Sequence, residues 1–160
     1  MSVQIGDMLP YGSFLVMGEN GPQEVNVTEF FADKTVILFA VPGAFTPTCS
    51  ARHLPGYVEH YQAFKEQGVD DIVCLSVNDV FVMNAWGQAQ GAGNIVMAAD
   101  NSAELTTALG LELEIATAQM GLRSRRYAML VINGVIQQLW LEEPGEFGVS
   151  SAEHVLEQVS

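Results

Sequence analysis

Cys49 stands near the end of the stretch Pro42-Gly43-Ala44-Phe45-Thr46-Pro47-Thr48-Cys49-Ser50. Two prolines and a glycine stiffen the loop, and the residues after it have helical spacing, so the sulfur sits where a helix begins. A helix start carries unsatisfied N–H groups and about half a positive charge, and a thiol placed there is drawn toward the thiolate form. That is the setting of a reactive cysteine rather than of a core one. Thr46 lies one helical turn upstream, and its hydroxyl can turn back toward the sulfur, donating or accepting a hydrogen bond. The chain has only 6 Lys and Arg residues. Arg52 follows Cys49 closely, and Arg123, Arg125 and Arg126 crowd together. A local positive site of this kind can hold a thiolate or an anionic transition state.

Spacing removes several other thiol chemistries. There is no Cys-x-x-Cys, so a thioredoxin-style dithiol is absent. A tyrosine-phosphatase loop needs an arginine where this chain has Pro55. Cys49 and His53 make half of a metal site, and no further ligands stand at a suitable spacing, so neither a metal nor a cofactor is expected. A papain-like Cys–His pair stays open, with His53, His60 and His154 as the candidates. Of these, His53 reads best as a structural hydrogen bonder.

The elements that must carry these residues follow from pattern. The 160 residues, 49% of them hydrophobic, suffice for one domain spanning 1–160 with a real core. A net charge of -13 argues against nucleic acid and anionic membrane as partners. The start has neither a basic nor an apolar leader region, and the apolar run Val36 to Val41 is far too short to span a bilayer. Two cysteines, Cys49 and Cys74, suit reduced thiols in the cytoplasm better than a disulfide scaffold.

Ser13 to Met17 and Glu24 to Val27, around Asn20-Gly21, read as an N-terminal hairpin. Thr28 to Asp33 reads as a helical turn. Thr35 to Phe39, Asp71 to Val77 and Ile95 to Ala99 read as buried strands. Val58, Tyr61 and Phe64 mark a helix face ending at Gly68, with a kink expected near Leu54 because Pro55 lacks an N–H. Asn78 is expected to cap the helix carrying Phe81 to Trp86, and Ser102 a short helix ending at Gly110. Tyr127 to Ile132 and Val135 to Leu141 flank the turn pair Asn133-Gly134, and Ser151 to Val159 is a final helix. The fold class is therefore α/β, a central mixed β-sheet flanked by helices, in the element order of a thioredoxin-like core.

With these residues in view, the chain resembles the peroxiredoxins. The stretch PGAFTPTCS followed by His53-Leu54-Pro55-Gly56, together with Val77-Asn78-Asp79-x-Phe81-Val82-Met83 and Arg125-Arg126-Tyr127, is similar to their type II group, nearly end to end. The resemblance implies a thioredoxin-like fold and a thiol peroxidase that reduces hydrogen peroxide and organic hydroperoxides. It makes Cys49 the peroxidatic cysteine, with Thr46 and Arg126 completing the site, Pro42 shielding the sulfur and the backbone of Thr48 helping to bind peroxide. An apolar wall from Phe45, Leu113 and Met120 would favour alkyl hydroperoxides. The group also implies a homodimer through loops bearing Phe45, Asp79 and Phe81.

Relatives with a resolving cysteine near the C-terminus carry it where this chain has Ser151. Cys74, the only other thiol, lies in a buried-strand pattern, so a resolving role there would need local unfolding. The expected cycle uses one catalytic cysteine, regenerated by glutathione with glutaredoxin or by thioredoxin. The competing reading is a peroxide sensor or holdase chaperone on the same fold.

Overall fold

The computed structural model of the chain describes residues 2–115 and 118–160. Strands β1 (Ser13–Gly18) and β2 (Gly21–Asn26) form the expected antiparallel hairpin. Helix α1 (Val27–Phe31) follows, capped by the Asn26 side chain. Next come β3 (Thr35–Ala40), the site loop, a π-helical turn (Cys49–His53), α2 (Leu54–Glu59), α3 (Tyr61–Glu66) and β4 (Asp71–Ser76). The chain continues through α4 (Val80–Ala89), β5 (Val96–Ala99), α5 (Glu104–Leu109) and the short pair β6 (Glu112–Ile115) and β7 (Gly121–Ser124). It ends with β8 (Tyr127–Ile132), β9 (Val135–Leu141) and α6 (Ala152–Val159).

The main sheet has the order β2-β1-β5-β4-β3-β8-β9. Its centre, β5-β4-β3, is parallel, and β8 and β9 continue it antiparallel. Alternation along β3 and β4 sets the two layers. Ile37, Phe39, Ile72 and Cys74 face a core that also holds Cys49, Tyr57 and Trp86. Val36, Leu38, Val73 and Leu75 face the opposite core, with Phe31, Leu105 and Leu109. The thioredoxin-like α/β expectation holds.

Two local expectations need correction, and one element is new. Asp79, not Asn78, caps α4, its Oδ1 accepting from the Val82 N–H at 2.8 Å. Two adjacent acceptors compete for that position, and Asn78 is taken by the site loop. No side chain caps α5 at Ser102. Ala103 occupies the cap in a left-handed conformation, while the Asp100 carboxylate reaches past it to the N–H groups of Leu105 and Thr106. The β6–β7 pair was not anticipated, although Glu112-Leu113-Glu114-Ile115 alternates with the period of a strand.

Candidate active site

Pro42 leaves the end of β3 and begins the loop that carries the cysteine. The loop is pinned from β4's side: the Ala44 N–H donates to Asn78 Oδ1 at 2.9 Å, and Ser76 Oγ donates to the same oxygen at 2.6 Å. Phe45 is held at φ 64, a strained position for an aromatic residue, and is 55% exposed. Helical winding begins at Pro47, then widens at Cys49, where the Leu54 N–H reaches back to the Cys49 carbonyl. Pro55 stands just after the return to α-helical winding, so its missing N–H coincides with the irregularity expected near Leu54.

Cys49 is fully buried in this wide turn. Arg126, at the end of the Ser124–Tyr127 connection into β8, donates from Nη2 to Cys49 Sγ at 3.2 Å. Its other terminal nitrogen, Nη1, lies 2.8 Å from His53 Nδ1. His53 is itself fully buried, and its Nε2 lies 3.1 Å from the Ser150 carbonyl oxygen. A carbonyl cannot donate and a guanidinium cannot accept, so the bonds fix the neutral tautomer: Nε2–H donates to Ser150, and Nδ1 accepts from Arg126. Burial, reinforced by the Arg126 charge against the Ser150 bond, holds His53 down to about 3. The expectation of a hydrogen-bonding His53 is met, and its partner is the cation that faces the sulfur.

This buried neutral histidine makes stability depend on pH. The unfolded chain protonates His53 below about its ordinary 6.5, while the folded protein resists until about 3. Its contribution is therefore complete above 6.5 and declines as acid is added, on the order of 1 kcal/mol per pH unit at most. Urea midpoints should fall from pH 6.5 toward the carboxylate range, and His53→Gln should flatten that slope. An unchanged slope would remove His53 as its source.

The other expected residues divide. Thr46 Oγ1 donates to the Gly43 carbonyl at 2.7 Å, a contact within the loop that leaves its lone pairs free to accept. Pro42, Thr48 and Arg126, but not Cys49 or Thr46, line a 520 Å³ cleft that Leu113 and Ile115 also line. Phe45 and Met120 do not line that cleft: the Phe45 ring lies 6.5 Å from that of Trp86, and the Met120 side chain packs at Gly43. Arg52 stacks over Phe147 at 4.7 Å, and Arg123 is occupied by the carbonyls of Met120 and Val77. Of the clustered cations, Arg126 alone donates to the sulfur.

The Redoxin family matches residues 4–156. Peroxiredoxin-2D of Arabidopsis thaliana is 46% identical over 156 residues, covering 96% of this chain and 96% of its own. The chain belongs to the peroxiredoxins. Hybrid peroxiredoxin hyPrx5 of Haemophilus influenzae is 43% identical, covering 100% of this chain and 68% of its own. Reduced Prx3 of Vibrio vulnificus, solved in complex with hydrogen peroxide, superposes with a TM-score of 0.96 at 49% identity, covering 99% of each chain. This protein is a type II peroxiredoxin, an enzyme that reduces peroxides at the expense of thiols.

Both thiols of the peroxiredoxin are free. Cys74 is fully buried in β4, opposite Phe39 of β3. Burial, and then the neighbouring Cys49 sulfur, push its thiol well above the ordinary range, with Arg126 opposing. Burial of this kind favours the neutral thiol. Sequence reasoning missed Glu142 and Ser150, both buried beside the site. Their partners are mostly backbone groups, which leave no mark on the residue types around them.

Proposed function

We propose that Cys49 is the peroxidatic nucleophile, with Arg126, Thr46, Pro42 and Thr48 forming its peroxide site. The observation that carries this reading is the 3.2 Å bond from Arg126 Nη2 to a fully buried Cys49 Sγ. A guanidinium there favours the thiolate and stays in place as negative charge moves to the leaving oxygen. The thiolate attacks one peroxide oxygen, the S–O bond forms as the O–O bond breaks, and the electron pair leaves on an alkoxide or hydroxide that takes up a proton. The sulfur, oxidised by two electrons, is left as a sulfenic acid. Thr46 accepts from the peroxide O–H, its own proton being engaged by Gly43. Leu113 and Ile115 give the cleft an apolar wall for the alkyl group of an organic hydroperoxide.

One equivalent of hydrogen peroxide should place a single dimedone-trappable sulfenic acid on Cys49. Trapping on Cys74 instead would overturn the assignment.

The reductant in this reading is an outside thiol, glutathione with glutaredoxin or thioredoxin. It attacks the sulfenic sulfur, water leaves, and a second thiol releases Cys49. The absence of a cysteine at Ser151 and the burial of Cys74 both support it. Phe45 and Phe81, 55% and 63% exposed, suit a homodimer through the loops around the site. Sedimentation showing only monomer would remove that part. Asp79 caps α4 through Oδ1 and, being exposed, keeps Oδ2 for that interface. Two unpaired thiols suit a reducing compartment, the cytoplasm. Among the described residues no helix is long and apolar enough to cross a membrane.

A further inference from the structure

Glu142 follows β9 and is only 4% exposed, yet among the described residues no cation meets its carboxylate. Arg125 donates to its backbone carbonyl at 3.1 Å, not to its side chain. A buried carboxylate is costly unless its lone pairs are filled. Here Oε2 accepts three bonds from one short loop: Gly148 N–H at 2.6 Å, Ser150 N–H at 2.9 Å and Ser150 Oγ–H at 2.7 Å. Burial works against the charge, but these bonds outweigh it and hold the group below its ordinary range.

The clipped loop has one consequence at the site. With its N–H and hydroxyl both tied to Glu142, Ser150 turns its carbonyl inward. That oxygen accepts from His53 Nε2–H at 3.1 Å and from Tyr57 Oη–H at 2.8 Å. Tyr57 is stacked on Phe39 at 4.1 Å and cannot follow a moving carbonyl. His53 in turn presents Nδ1 to Arg126, whose remaining nitrogen donates to Cys49. The Glu142 backbone also grips the same arginine, its N–H donating to the Arg126 carbonyl at 3.0 Å. One residue thus fixes both the main chain of Arg126 and, through Ser150 and His53, its guanidinium.

We infer that Glu142 is a positioning residue for peroxide reduction: by clipping the Gly148–Ser150 loop it sets the His53 tautomer that aims Arg126 at Cys49. The inference rests on Cys49 and Arg126 being the reacting pair. A loop clip with no such role would change only stability. Positioning, by contrast, changes the sulfur's chemistry in a folded protein.

The test is a graded series in the full chain, Glu142→Gln and Glu142→Leu. Gln keeps an oxygen at the loop without its charge, and Leu removes the acceptor altogether. Three quantities are read: the imidazole nitrogen shifts of His53, the pH profile of Cys49 alkylation by iodoacetamide, and the rate of Cys49 oxidation by hydrogen peroxide. Glu142→Leu should lose the single Nε2–H tautomer, move the alkylation profile to higher pH and slow oxidation about tenfold, and Glu142→Gln should slow it about threefold, as expected for weakening bonds to a charged acceptor. Wild-type alkylation profiles and oxidation rates in folded variants would overturn the inference, whatever their melting temperatures. Should Glu142→Leu not fold, the Gln variant decides alone, and a profile superimposable on the wild type overturns it. Absence of Cys49-dependent peroxide consumption in the wild-type protein would instead overturn the reading on which the inference stands.

Discussion

Cys49→Ser should abolish peroxide turnover, leaving only the rate seen in buffer, while circular dichroism and melting stay close to wild type. The fold should survive because serine is nearly isosteric and its Oγ can accept from Arg126 Nη2 as Sγ does. The chemistry should not survive, because a serine oxygen does not take up a second oxygen from peroxide; the two-electron oxidation belongs to sulfur. Cys74 remains in this variant, so any residual turnover reports on that thiol. Cys49 is as deeply buried, so what sets Cys74 apart is that, among the described residues, no guanidinium donates to its sulfur and that burial pushes its thiol well above the ordinary range. Measured peroxide consumption above background, removed by Cys74→Ser, would show that the two sulfurs had been assigned the wrong roles. The same variant separates catalysis from binding on this fold: a holdase would keep its full activity in Cys49→Ser, and an enzyme would not.

What could be read in the sequence was local. The loop from Pro42 to Ser50 carries its meaning in consecutive residues, and the irregular winding near Leu54 follows from a single missing N–H at Pro55. Alternation along β3 and β4 declared two buried faces before any pairing was known. Arg126 is different. It lies far from Cys49 along the chain, and among clustered arginines only the family resemblance singled it out. The structure gives the physical distinction: Arg123 is spent on the Met120 and Val77 carbonyls and Arg125 on the Glu142 carbonyl, so Arg126 alone reaches the sulfur.

Glu142 was illegible for another reason. Two of its three donors are backbone amides, and every residue other than proline has one. The exchange of cap between Asn78 and Asp79 was likewise open, because neighbouring residues of similar chemistry can each serve. The structure resolves it through Ala44 and Ser76, contacts with partners outside the helix. An apolar wall from Phe45 is a reading of residue type alone, and the ring lies 6.5 Å from that of Trp86, outside the residues that line the cleft.

Arg126→Ala is expected to slow Cys49 oxidation by about 10²- to 10³-fold, the usual cost of removing one preorganised donor from a developing charge. Two effects combine in that number. The variant loses the cation 3.2 Å from Sγ, so alkylation of Cys49 should require higher pH. In the proposed role it also loses the group that steadies the departing oxygen, so oxidation should remain slow even where the thiolate is fully formed. Comparing alkylation with oxidation across pH separates the two, since iodoacetamide needs a thiolate but no peroxide site. Arg126→Lys refines the comparison. Lysine keeps the charge, but its single ammonium cannot hold the geometry in which one nitrogen faces His53 Nδ1 at 2.8 Å and the other faces the sulfur. It should therefore restore most of the alkylation profile and little of the oxidation rate. If lysine restored both, charge alone would suffice and the fixed fork held by His53 would have no catalytic consequence. If Arg126→Ala left both profiles unchanged, the arginine would have no part in the reaction.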